Sequence, residues 1–211
     1  MTYKHIIWDF DGTLFDTYPA FSGVYADVLK ERGITEPQDE ILSFMKVSIG
    51  YAKRHYQEKH NLDSSFSDRY EALLEEAQRV SSVPYEGIIK LCSDICKNGG
   101  WNYIYTHRGE SVHFYLEKFG LADCFREVVT SEYAFPRKPA PEAISYLLNK
   151  YNIPPAEALM IGDRDIDVLS GINAGIHGCF FTEGKSQNYD GASHKIDYLS
   201  ELYKICGVES I

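Results

Sequence analysis

Short apolar runs alternate with amphipathic helical stretches along most of this 211-residue chain. That alternation limits the fold more than any other feature. Helices between successive strands lead to a mostly parallel sheet covered on both faces. In such sheets ligands meet the carboxyl ends of the strands. Three runs here end in a reactive or hydrogen-bonding group. Ile6-Ile7-Trp8 leads into Asp9 and Asp11, Trp101 to Tyr105 leads into Thr106, and Ala158 to Gly162 leads into Asp163. One rule obeyed three times predicts that these side chains share one edge of the sheet.

The first run is the most demanding. Its bulky apolar residues end abruptly in two carboxylates, and Gly12 then breaks the strand. Acids at the end of a buried strand are costly unless something pairs with them. A plain Asp-Gly turn is the simpler reading of the same residues. A calcium loop fails on spacing, because it needs Gly at its sixth position and Glu at its twelfth. Counted from Asp9 those places hold Leu14 and Ala20, and counted from Asp163 they hold Val168 and Ala174.

Residues 17 to 81 carry helical signals and no convincing strand. Pro19 opens a helix that ends at Gly33, a second starts near Pro37, and Ser48-Ile49-Gly50 reads as a loop. A third helix follows through Tyr51 and Tyr56, and a fourth carries Tyr70, Leu73 and Leu74. After Pro84 an amphipathic stretch, 85–98, places Ile88, Ile89, Cys92, Ile95 and Cys96 on one stripe. Further helices are predicted at 110–119, from about Pro141, over 165–173 and around Leu202. His177 to Phe181 is the last clear strand. The pattern predicts an α/β fold: a Rossmann-like parallel sheet core over 1–15 and 83–211, with a small α-helical insert over 16–82.

Composition narrows the partners. A formal net charge of -10 argues against nucleic acid and anionic membrane. It leaves an anionic substrate open, met by local cations and a metal. No apolar run approaches the ~18 residues that span a bilayer, and no signal-peptide pattern precedes the first strand. A cytoplasmic protein is therefore expected. Its five scattered cysteines fit small core residues in a reducing compartment better than a zinc site. Oligomeric state is unreadable.

If Asp9, Asp11, Asp163 and Asp167 converge, their mutual repulsion calls for a divalent cation. All-oxygen ligation favours magnesium over zinc. The helix macrodipole is explanation enough for Asp165. Lys138, between Pro136, Pro139 and Pro141, reads either as a solvated lysine or as a cation on a fixed path. With Thr106 and a metal, it would make an anion clamp suited to phosphate.

Asp9-Phe10-Asp11-Gly12-Thr13, then Thr106, Lys138 and Gly162-Asp163 followed by Asp167, resemble in order the four motifs of the haloacid dehalogenase superfamily. The likeness covers the whole chain. The helical insert resembles the cap of the phosphoglycolate phosphatase and β-phosphoglucomutase branch. The resemblance implies a magnesium-dependent phosphatase acting on a small phosphorylated metabolite. Asp9 would be the nucleophile that forms an aspartyl-phosphate, and Asp11 the general acid and base. Magnesium would bind Asp9, the Asp11 carbonyl and Asp163, with Asp167 in support. Thr106 and Lys138 would hold the phosphoryl oxygens. Ser48 to Gly50, Lys53 and Arg54 are candidate cap contacts, although a solvated face suits the two cations better.

Asp11 speaks against dehalogenation, since dehalogenase members lack that second acid. A departure from the family pattern is His107, where many relatives carry Asn. His107 and Arg108 either touch substrate or pack against the chain. A phosphomutase would share every core residue named above. A non-catalytic phosphate-binding protein is the remaining alternative.

Overall fold

A computed structural model of the chain describes residues 2–185 and 189–210. In chain order its elements are β1 (His5–Trp8), β2 (Phe15–Asp16), α1 (Tyr18–Glu31), α2 (Gln38–Val47), α3 (Ile49–His60), α4 (Ser64–Ser81) and β3 (Val83–Pro84). Then come α5 (Ile88–Lys97), β4 (Trp101–Tyr105), α6 (Ser111–Lys118), β5 (Phe125–Val129), α7 (Glu142–Tyr151), β6 (Ala158–Gly162), α8 (Asp165–Asn173), β7 (His177–Phe181), β8 (His194–Ile196) and α9 (Leu202–Cys206). The chain divides into two compact units, one of residues 1–14 and 84–211, the other of residues 15–83.

The larger unit is built on a six-stranded sheet in the order β5-β4-β1-β6-β7-β8, parallel throughout. The fold is α/β and Rossmann-like. β1 lies at its centre because Ile6, Ile7 and Trp8 are apolar on both faces and are wholly buried. Each such side chain contributes roughly 2 kcal/mol on burial. Alternation sends Ile7, Tyr103, Tyr105 and Met160 to one face, where Ile144 and Leu147 of α7 cover them. On the other face the Trp8 indole donates to Asn102 Oδ1 at 2.9 Å. The Asn102 amide in turn donates to the carbonyls of Cys92 and Cys124. A buried side-chain amide thus ties β1 and β4 to α5.

The smaller unit packs α1 to α4 around Tyr25. Its ring lies 5.7 Å from Tyr56 and 5.0 Å from both Phe66 and Tyr70. Asp63 caps α4 by accepting the Phe66 N–H.

Several details depart from the sequence expectations. Ser48 to Gly50 is not a loop: Ser48 caps α3 by accepting the Tyr51 N–H, and Ile49 and Gly50 are already helical. Ile89 is exposed, and Leu91 takes its place on the buried stripe of α5, because the helix starts at Ile88 after a turn rather than at Tyr85. β8 was unforeseen. It is three residues long, lies at the sheet edge and carries polar His194 and Lys195. All five cysteines are free thiols. Among the described residues no helix is long and apolar enough to cross a membrane.

Replacing Asn102 by Leu strands the buried Trp8 N–H and takes one donor from each of the Cys92 and Cys124 carbonyls. Each buried unpaired group costs roughly 1–3 kcal/mol. Chemical denaturation should show a clear loss of stability, and an unchanged midpoint would refute this account.

Candidate active site

The parallel register sets three side chains abreast. Trp8 is level with Ile104 on β4 and Ile161 on β6. The next residues off these neighbouring strands therefore emerge at the same edge. Asp9, Thr106 and Asp163 are those residues or lie one beyond them, and all three are buried. The Asp9 N–H donates to the Ile161 carbonyl and the Thr106 N–H to the Val129 carbonyl, which continues the ladder into the site. Gly12 then turns the chain at φ 87°, in the left-handed region open to glycine.

α8 supplies a third carboxylate. Asp167 is fully buried, and its Oδ2 accepts the Arg164 N–H at 3.0 Å. Gly162 permits this approach, since a Cβ there would fall on the Asp167 side chain. One oxygen from each of Asp9, Asp163 and Asp167 lies within 4.8 Å of the others.

Lys138 enters from the loop before α7. Its side chain is 0% exposed, and Nζ lies 2.5 Å from Asp9 Oδ1 and 2.9 Å from Asp167 Oδ1. The ammonium also sits 4.7 Å from the centre of the Tyr105 ring. Four hydrogen bonds pin the loop. The Tyr105 hydroxyl donates to the Pro136 carbonyl, the Ala140 N–H to the Arg137 carbonyl, and the Asn173 amide to the Pro139 carbonyl. The fourth involves His107, whose Nε2 accepts the Lys138 N–H at 2.9 Å.

The electrostatics follow from burial. Desolvation, then the Asp167 charge, pushes the Asp9 carboxyl above its usual range, against the pull of Lys138. Burial also works against the Asp167 carboxylate, yet Lys138 and Arg164 outweigh it and hold that group low. Lys138 is drawn down by burial, but Asp167 and Asp9 more than restore it. Three carboxylates thus gather at this edge, and two of them, Asp9 and Asp167, pair with the fully buried ammonium, while Arg164 reaches Asp167 only at 3.8 Å. Asp9 Oδ2 is buried with no hydrogen-bond partner among the described residues. An all-oxygen set with surplus negative charge fits a hard divalent cation.

Of the remaining expected residues, Asp11 is partly exposed and Arg108 grips both its oxygens. The grip was not legible in the sequence, because it depends on how the chain turns after Thr106. Lys53 pairs with Glu71 at 2.8 Å, Arg54 is exposed, and both lie in the smaller unit.

A sequence model described as haloacid dehalogenase-like hydrolase matches residues 6–181. The chain belongs to that family. This hydrolase is 29% identical to an N-acetylmuramic acid 6-phosphate phosphatase from Pseudomonas putida, over 97% of this chain and 96% of the relative. It is 27% identical to a phosphoglycolate phosphatase from Vibrio vulnificus, over 94% and 92% of the two chains. The crystal structure of a hydrolase from Streptococcus pneumoniae is similar, with a TM-score of 0.70 and 30% identity. The match covers 99% of this chain and 100% of that one.

His107 gives the haloacid dehalogenase-like hydrolase a testable acid sensitivity. Burial first, then the Lys138, Arg137 and Arg164 charges, lowers its pKa from 6.5 to about 3. Between those values only the unfolded chain takes the proton, so stability falls as pH drops below 6.5. The slope stays under the ~1.4 kcal/mol per pH unit of one fully coupled proton, because the ring keeps some solvent contact. A His107→Asn protein should lose less stability between neutral and mildly acidic pH than the parent. Equal slopes in paired denaturation series would refute this.

Proposed function

We propose that this hydrolase is a magnesium-dependent phosphatase acting on a small phosphomonoester by way of an aspartyl-phosphate on Asp9. One observation carries the proposal. A buried carboxylate stands at the end of the central strand, one oxygen held by a buried lysine and the other unbonded. The two named relatives, phosphatases both, support the same reaction class.

Asp9, the backbone carbonyl of Asp11 and Asp163 would hold the Mg2+, with Asp167 in support. The bound ion supplies charge neutralisation for the phosphoryl oxygens. Lys138 fixes Asp9 Oδ1 and leaves Oδ2 to attack phosphorus. The Thr106 hydroxyl accepts the Arg108 N–H at 3.1 Å, so its own hydrogen remains available to a phosphoryl oxygen. As the bond from phosphorus to the leaving oxygen breaks, Asp11 gives that oxygen a proton and an alcohol departs. Asp11, now a carboxylate, takes a proton from water, and the water oxygen attacks phosphorus. Inorganic phosphate leaves and Asp9 is restored. Positioning and charge do most of this work, as phosphoryl transfer requires. We assign substrate selection to the helical unit, residues 15–83, as the cap of this enzyme.

The test is inorganic phosphate release from a panel of small phosphomonoesters with and without magnesium. Asp9→Asn should lower kcat by about a thousandfold or more. Asp163→Asn should raise the magnesium concentration needed for half-maximal rate. Release that persists without magnesium, or in Asp9→Asn, would overturn the mechanism.

A further inference from the structure

The phosphatase reading leaves one buried cation without a task. The Arg108 side chain is only 8% exposed, and its fork is fully engaged. Nη2 donates to Asp11 Oδ1 at 2.5 Å and Nε donates to Oδ2 at 3.3 Å. The guanidinium carbon lies 5.2 Å from the Phe10 ring centre and 5.4 Å from that of Tyr115. Nη1 reaches Ser111 Oγ at 3.4 Å. The main chain is anchored as well, since the Arg108 N–H donates to Thr106 Oγ1 and its carbonyl accepts the Ser131 N–H. Aromatic packing and backbone bonds therefore fix the fork in place whatever occupies it.

This arrangement conflicts with proton transfer. Asp11 must present an oxygen to the leaving group and then to water, yet both its oxygens lie in the fork. Releasing Asp11 without a replacement leaves a nearly buried guanidinium unpaired, which is strongly unfavourable. A suitable replacement must resemble what the fork already holds, a planar anion with two oxygens side by side. Asp11 itself is the stand-in, and its side chain is 25% exposed, so the pair opens to solvent.

We propose that Arg108 is a specificity-determining residue that takes a carboxylate carried on the substrate's leaving group, and that this exchange releases Asp11 for proton transfer. The inference rests on the reading of Asp11 as general acid and base. Selection then acts on turnover as well as binding. An ester without the carboxylate reaches the site but must break the Asp11–Arg108 pair with nothing to replace it.

The experiment compares 2-phosphoglycolate with n-propyl phosphate, which lacks the carboxylate, and reads the ratio of their kcat/KM values. The parent protein should favour the carboxylated ester by roughly ten- to a hundredfold, the range set by a charge-assisted hydrogen-bonded pair. Arg108→Gln should bring the ratio close to one. Arg108→Lys, which keeps the charge and loses the fork, should recover only part of it. A merely structural arginine would lower both esters together and leave the ratio intact. That result, or a parent protein without preference, overturns the proposal. Pyrophosphate forms a third arm, and an Arg108 effect confined to it would replace the carboxylate by a second phosphate and overturn the assignment. Calorimetric binding of 2-phosphoglycolate to Asp9→Asn, with and without Arg108→Gln, separates the two readings. If neither ester turns over but binding still depends on Arg108, the phosphatase reading fails, the release of Asp11 fails with it, and Arg108 keeps only its binding of the carboxylate. Turnover with an unchanged ratio does the reverse.

Discussion

The site depends on one buried ammonium. Lys138 lies between Asp9 and Asp167 with no exposure to solvent, where an unpaired charge would cost several kcal/mol. The arrangement is mutual. The carboxylates keep the lysine charged, and the lysine allows two acids to remain ionised beside a third. It also removes a symmetry, because among the described residues one Asp9 oxygen has a hydrogen-bond partner and the other has none. Chemistry that needs a single defined nucleophilic atom begins with that asymmetry.

Around this contact the protein uses backbone more than side chains to hold position. β1, β4 and β6 bring their terminal residues level by register alone. The Lys138 loop has no regular ladder, so it is tied by a tyrosine hydroxyl, an asparagine amide and a histidine nitrogen drawn from other elements. His107 serves here as an acceptor, which demands a neutral ring and matches the cations that surround it. The side chain beside Thr106, expected either to touch substrate or to pack, therefore has a partner within the chain.

Much of the architecture could be read from sequence because it follows from periodicity. The α/β class, the parallel sheet and the carboxylates at the strand ends all come from apolar runs of the right length. What escaped the reading was local or non-local chemistry without a period. β8 is short, polar and at an edge, so nothing in it stands out. The Ser48 cap resembled a loop because Gly50 suggested a break. The fork of Arg108 on Asp11 joins residues far apart in sequence, and no spacing rule encodes it. Lys138 stood out only through its prolines and its resemblance to a family motif, since its partners arrive from β1 and α8.

The central position of β1 also bears on synthesis. Its neighbours in the sheet are strands that begin at Trp101 and Ala158. As the chain leaves the ribosome, Ile6, Ile7 and Trp8 emerge first and wait for partners made much later. The helices of residues 15–83 meanwhile have their own aromatic core and local contacts. Non-local parallel pairing is slow and leaves sticky strands unpaired in the interval. A nascent chain of this protein thus passes through a stage in which the helical unit has its contacts and Asp9 sits on a bare hydrophobic thread. That stage is the one at which a chaperone would matter most.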